Sequence, residues 1–241
     1  IQYREFTGRA EARRRYWARN TIGWPRMKEV EPNAGHNALA RLQTAGTVTS
    51  IITQNVDGLH QAAGAMDVIE LHGSLAQVVC LECGRTEHRD ALQDRLLAAN
   101  PSWLSLTAEI APDGDAELPR ELASSFSVPT CSRCGGVLKP DLVFFGENVP
   151  RPRVEAAASA VDAAELLWVI GSSLTVWSGF RFVKRAAEAG TPVVITNMGE
   201  TRGDPLAPLR IDAPLGRLLS RVAEELAPEY NQQVQNARSR W

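Results

Sequence analysis

Lysine is almost absent from this chain. Of its 26 basic residues only 3 are Lys and 23 are Arg. That bias points to a GC-rich coding sequence and so to a bacterial cytoplasm, with the mitochondrial matrix as the alternative compartment. No apolar run approaches the roughly 20 residues that a membrane-spanning helix needs, so no membrane partner is expected. Charge of one sign is also lacking. The net value is −2, which leaves no general basic field for a nucleic-acid partner. Cysteine is scarce and regularly paired, 4 in 241 residues, which argues against a secreted disulfide scaffold and for a reducing compartment. There is no internal repeat and no low-complexity tract. What remains is 44% hydrophobic and 22% charged, an ordinary globular composition with length for one large domain and a small one.

The pattern along the chain alternates. Residues 10–20 read as a helix that Gly23 and Pro25 break. Within it, Arg13 to Arg15 share a segment with Glu5 and Glu11 and read as a solvated helix face. Asn33 is placed to cap a second helix through His36 to Ala45, ended by Gly46. Val48 to Thr53, Val68 to Leu71, Leu166 to Ile170 and Pro192 to Thr196 are short β-branched or aliphatic runs of the kind that become buried parallel strands. A helical stretch, Gly179 to Ala189, lies between the last two. Ala111 to Asp115 reads as a turn, and from Pro228 the tail is polar and aperiodic. The expected class is α/β: a doubly wound, Rossmann-like parallel sheet with a small inserted zinc-binding module. The expected division is residues 1–35 as the helical part of a small or lid region, 36–79 and 140–227 as two parts of the Rossmann-like domain, 80–139 as the zinc module, and 228–241 as a tail.

The cysteines form two Cys-x-x-Cys pairs, Cys80/Cys83 and Cys131/Cys134. Two residues between thiols let both sulfurs of a tight turn face one ion, and two such turns give a closed tetrahedral site. Gly84, and Gly135 with Gly136, supply the backbone freedom that such turns need. Four unrelated buried thiols or a redox pair are the competing readings; one structural Zn is the preferred one. Four thiolates leave no open coordination position, so this metal should brace the insert rather than activate water.

Polar side chains placed just after buried strands project into the crevice at the carboxyl edge of an α/β sheet, where such folds bind ligands. Gln54, Asn55 and Asp57 follow one strand. His72 follows another, just before Gly73, and His60 lies nearby. Gly171, Ser172 and Ser173 follow the third, and Asn197, Met198 and Gly199 the fourth. Asn and Gln offer donor and acceptor together, as a carboxamide or a ribose requires. Histidine is the side chain best suited to move a proton near neutral pH. For His36 and His60, a helix start and a satisfied core histidine are the plainer readings.

Taken together, T-Q-N-V-D-G-L-H (Thr53 to His60), E-L-H-G (Glu70 to Gly73), the cysteine pairs, K-P-D-L-V-F-F-G-E (Lys139 to Glu147), G-S-S-L and I-T-N-M-G resemble the sirtuins, NAD-dependent protein deacylases, over about residues 30–220. Y-W-A-R-N (Tyr16 to Asn20), G-W-P (Gly23 to Pro25) and A-P-D-G-D look more narrowly like class II sirtuins, the group containing mitochondrial sirtuin 4. The resemblance implies His72 as the general base toward a ribose hydroxyl of NAD. It implies Asn55, Val56 and Asp57 around the nicotinamide carboxamide and Gln54 on the adjoining ribose. Gly171, Ser172 and Ser173 would meet the phosphate and ribose portion, Asn197, Met198 and Gly199 the adenosine ribose, and Leu215 the adenine. Val143 and Phe144 would pair with an extended acylated-lysine peptide or protein segment. The products implied are nicotinamide, the free lysine and O-acyl-ADP-ribose.

One family feature does not occur in these 241 residues: the opening string G-A-G-x-S-x-x-S-G-I-P-x-[FY]-R. Its glycine turn carries backbone N–H groups to a pyrophosphate and belongs to a central strand. The chain starts at Ile1 and is read as part of a longer enzyme rather than a natural truncation, and as written it is expected to bind NAD poorly. Two other functions compete. One is protein ADP-ribosyl transfer within the same family. The other is a truncated, non-catalytic zinc-containing binding module. Residues 80–139 hold 6 Arg plus Lys against 9 Asp plus Glu, which argues against a nucleic-acid adaptor.

Overall fold

The computed structural model describes residues 1–105 and 123–228. In chain order the elements are α1 (Tyr3–Gly8), α2 (Ala10–Lys28), α3 (Ala34–Thr44), β1 (Ile51–Thr53), α4 (Leu59–Ala62), β2 (Val68–Glu70), β3 (Gly73–Cys80), β4 (Thr86–His88) and α5 (Arg89–Ala99). After the undescribed stretch come β5 (Leu138–Leu142), α6 (Arg151–Asp162), β6 (Leu167–Ile170), α7 (Trp177–Ala189), β7 (Val193–Thr196), β8 (Leu209–Ile211) and α8 (Leu215–Leu226). They divide into two units. The first comprises Ile1–Val30, Asn55–Gly58 and His72–Asn148; the second comprises Glu31–Gln54, Leu59–Leu71 and the chain from Val149 onward. The turn expected at Ala111 to Asp115 and nearly all of the tail from Pro228 lie outside the described residues. Among the described residues, no helix is long and apolar enough to cross a membrane.

The second unit is the parallel α/β part. β1 pairs with β2, and β6 with β7 and β7 with β8, all parallel. β1, β2, β6 and β7 carry apolar residues on both faces, as a sheet covered on both sides must, while the edge strand β8 places Arg210 between Leu209 and Ile211. Ile52, Ile69, Leu167 and Val169 face a core built with Ala157 and Val161 of α6 and Phe182, Val183 and Ala186 of α7. Their alternates Ile51, Val68, Trp168 and Ile170 face a second core with Ala38, Leu39 and Leu42 of α3 and Leu219 and Ala223 of α8. The two ladders therefore share both cores, yet no strand pairing joins β1 to β6 among the described residues. Asn33 caps α3 as expected: its side chain accepts the N–H groups of Gly35 and His36, and His36 Nδ1 accepts the N–H of Asn33 in return. His36 is thus a helix-start residue, and His60 lies edge-on against it with ring centroids 4.8 Å apart.

The first unit corrects the sequence reading at α2. The helix does not break at Gly23 and Pro25; it runs through both to Lys28. Proline removes the N–H that would bond the carbonyl four residues earlier. That carbonyl, on buried Thr21, instead accepts Gln93 Nε2 of α5 at 2.8 Å. A side chain distant in sequence replaces the missing donor, so no local pattern reveals it. The arginine cluster is not merely a solvated face either. Arg13 donates to the carbonyls of Phe6 and Thr7, both at 2.9 Å, and Arg15 pairs with Glu5 at 3.0 Å.

Around α2 and α5 the first unit buries a cation. Arg89 is 1% exposed, and its guanidinium lies 5.3 Å and 5.1 Å from the ring centroids of Trp17 and Trp24. Asn20 Oδ1 accepts from its Nε and Nη2. Burial draws the Arg89 pKa down to about 10, still far above neutrality, so the group stays charged. Two antiparallel pairings that the sequence reading did not anticipate, β3 with β4 and β3 with β5, complete this unit.

Candidate functional site

The zinc ligands are built by one turn used twice. In the first, Gly84 N–H bonds the Cys80 carbonyl at 3.0 Å and Cys80 N–H bonds the Arg85 carbonyl at 2.9 Å. In the second, Gly135 N–H bonds the Cys131 carbonyl and Cys131 N–H the Gly136 carbonyl, both at 2.9 Å. Gly84 and Gly135 sit at φ +69° and +74°, where a Cβ would be strained. The turns bring the sulfurs of Cys80, Cys83, Cys131 and Cys134 within 4.8 Å of one another. The Cys80–Cys134 and Cys83–Cys131 separations are 3.5 and 3.8 Å. Zinc–sulfur bonds of about 2.3 Å in a tetrahedron put sulfurs about 3.8 Å apart, so the set fits a closed zinc site. Glu82 ties one turn to the other, its Oε2 accepting Val137 N–H at 2.6 Å.

The same β-structure fixes three groups of sequence-predicted residues in the first unit. His72 immediately precedes β3, and its carbonyl accepts Val143 N–H at 2.9 Å. Val56, between Asn55 and Asp57, offers its carbonyl to Leu75 N–H at 2.9 Å. β3 is thus the common support for the N-V-D segment, for His72 and for Val143. Phe144 packs inward at 8% exposure, while Phe145 stands outward at 70%. Beside Phe145 and Gly146 lies an open hollow of about 650 Å³, lined also by Gln2, Arg4, Glu5 and Arg9.

The other sequence-predicted residues belong to the second unit. At the carboxyl ends of β1 and β6, Gln54 Nε2 donates to Ser172 Oγ at 3.1 Å, and Ser172 Oγ accepts Leu174 N–H at 3.2 Å. Gly171 has φ +63°, and a Cβ there would lie 2.5 Å from Leu215 Cδ1. The structure thereby brings Gln54, Gly171, Ser172 and Leu215 together, with Ser173 joined to Thr175 through their hydroxyls at 3.0 Å. At the end of β7, Asn197 Nδ2 donates to the carbonyls of Met198 and Gly199 at 3.0 and 3.1 Å, while Met198 itself is exposed. Bare backbone at Gly171 and Gly199, next to hydroxyl and amide groups, is suited to a phosphate–ribose ligand.

Three residues of these sites were not singled out from the sequence. Leu174 is buried and left-handed at φ +56°, a conformation that costs a leucine roughly 1–2 kcal/mol and that composition does not signal. Gly179 lets Gln54 approach: a Cβ there would stand 2.8 Å from the Gln54 amide. Glu147 accepts Phe144 N–H at 2.8 Å. It lies inside a quoted string, which was the available signal.

Comparison with known proteins gives a consistent picture. The model of the Sir2 family matches residues 3–178. NAD-dependent protein deacetylase 1 of Streptomyces coelicolor is 55% identical over 226 residues, covering 94% of this chain and 76% of that protein. An NAD-dependent protein deacetylase of Bordetella bronchiseptica is 48% identical over 222 residues, covering 92% and 81%. Among solved structures, a Sir2 with a p53 peptide and NAD+ superposes with a TM-score of 0.73 at 30% identity, covering 93% of this chain and 81% of that one. A Sir2Tm bound to a propionylated peptide gives the same TM-score and identity.

Proposed function

Because the chain belongs to the Sir2 family, we propose that it is an NAD-dependent protein-lysine deacetylase, acting on acylated lysines in extended peptide segments. The observation that carries this reading is the anchoring of His72 and Val143 to each other through a main-chain hydrogen bond at the start of β3. A proton-moving imidazole and the peptide-pairing strand are held by one rigid element, as a positioned base requires.

In this reading the acyl oxygen of the substrate attacks the anomeric carbon of the NAD ribose, and the bond to nicotinamide breaks. His72 then draws a proton from a ribose hydroxyl, which takes up the acyl carbon. Water completes the release of the lysine amine, and the acyl group leaves on ADP-ribose. Asp57 and the amide of Asn55 serve the cation-like ribose and the carboxamide. Gln54, Gly171 to Ser173, Asn197 to Gly199 and Leu215 serve the rest of the dinucleotide. Val143 and Phe144 serve the peptide backbone, with affinity from main-chain bonds and selectivity from side-chain pockets. The four thiolates close the zinc coordination sphere, so the metal takes no part in these steps.

Two finer assignments accompany this. Y-W-A-R-N and G-W-P support a class II subtype. Arginine-rich composition, sparse and regularly paired cysteines and bacterial relatives support a bacterial cytoplasm.

The test is product analysis by mass spectrometry with NAD and an acetyl-lysine peptide. Nicotinamide, free lysine peptide and O-acetyl-ADP-ribose in equal amounts support deacetylation. ADP-ribose attached to the protein partner, with the acetyl group intact, supports transferase chemistry instead.

A further inference from the structure

Lys139 is among the few charged residues in the core of the first unit, with its side chain 3% exposed. Its Nζ lies 3.0 Å from Glu147 Oε2 and 4.6 Å from the centroid of the Phe144 ring. It also donates to the carbonyls of Pro140 and Leu142. The same Glu147 Oε2 accepts Phe144 N–H at 2.8 Å. Glu147 N–H in turn bonds the Phe144 carbonyl at 3.0 Å, closing a turn through Gly146 at φ +78°. One ion pair therefore holds the backbone on both sides of Val143, whose own N–H is held by the His72 carbonyl.

A buried ion pair is a poor way to stabilise a core, since apolar residues of similar volume commonly do as well or better. It is a good way to fix a backbone, because a carboxylate accepting both an ammonium and an amide tolerates one geometry. What this geometry fixes is the alternation between inward Phe144 and outward Phe145. We propose that Lys139 and Glu147 are positioning residues for the acyl-lysine peptide, holding Val143 and Phe144 in the shape to which the peptide strand adds. This rests on the reading of Val143 and Phe144 as the peptide-binding segment.

The test uses the full chain and the variants Glu147→Ala and Glu147→Gln, with Lys139→Met/Glu147→Leu as a charge-free pair. Binding of a fluorescein-labelled acetyl-lysine peptide is read by anisotropy, without turnover. Steady-state KM values for peptide and NAD are measured beside it, together with zinc content and Tm. Glu147→Ala is expected to weaken peptide binding about tenfold, the scale of one lost main-chain hydrogen bond. The NAD KM and zinc content stay at wild-type values, and Glu147→Gln, which keeps an acceptor for Phe144 N–H, recovers part of the loss. The charge-free pair is expected to fold and still bind peptide weakly. Peptide binding equal to wild type in Glu147→Ala, or peptide and NAD KM rising together, overturns the proposal and leaves a purely structural pair. Wild-type chain that binds the acetyl-lysine peptide but does not deacetylate it refutes the proposed activity while leaving this inference standing.

Discussion

The two units hold themselves together by different means. In the second, β1, β2 and β6 set apolar residues into cores on both of their faces, and the polar groups cluster at strand ends. In the first, the strands are antiparallel; Arg89 and Lys139 are buried in it, and its four thiols cluster with Cys80 and Cys131 buried, Cys83 half-buried and Cys134 exposed. Apolar burial alone suffices where two layers of helices cover a sheet. Where the sheet carries a long connection and a reactive edge, specific polar devices set the geometry, and each is sensitive to a single substitution.

Removing zinc should separate the two most sharply. Structural zinc supplies on the order of 10 kcal/mol or more of apparent binding free energy at neutral pH. Strong chelation, or Cys131→Ser, is expected to abolish amide-exchange protection across β3, β4 and β5 while leaving β6, β7 and α7 protected. Equal loss in both units would break the contrast. A smaller effect is expected at Pro25. Gln93→Ala leaves the buried Thr21 carbonyl without its donor, which costs about 1–3 kcal/mol. Pro25→Ala restores a backbone N–H, so the double variant should regain most of that loss in urea unfolding; additive losses would show that Gln93 does not replace the missing donor.

In the second unit, Gly171→Ala meets both a left-handed backbone and Leu215. It is expected to lower stability by about 1–2 kcal/mol and to weaken NAD binding in calorimetry, with zinc content unchanged. The smallest effect lies at Asp162. Hydrogen bonding from Arg185 holds its carboxyl below the ordinary carboxylate range. The contribution is therefore full above the unfolded pKa and is lost as pH falls through the lower folded value. Asp162→Asn should remove that acid limb of a stability–pH curve and lower stability at pH 7 by the same amount, a small one since both groups are about half exposed.

The sequence was most informative where the physics is local. Asn33 and Gly46 bounded α3, β-branched runs marked β1, β2, β6 and β7, and cysteine spacing with glycines marked the metal turns. It failed where a distant partner decides. Gln93 carries α2 past Pro25, and β3 has mixed composition in G-S-L-A-Q-V-V-C, becoming a strand by pairing with β5 some 60 residues on. β8 is exposed and three residues long, too short for a pattern. Of the candidate site, the residue types at strand ends were legible, but not the support that β3 gives to both His72 and Val143. Leu174 shows the same limit: it is buried, and a Cβ on Gly203 would stand 2.6 Å from its Cδ1, a close approach that the residue type does not announce.

The claim on which the account rests is that an imidazole does the chemistry while the metal does none. It is tested most directly by nicotinamide release from NAD and acetyl-lysine peptide, followed through to O-acetyl-ADP-ribose, in wild type and His72→Ala with zinc measured in both. One zinc per chain is expected in each, with a rate of product formation lower by about 10²–10⁴ in the variant, as for other positioned bases. Near-equal rates at full zinc occupancy would contradict it.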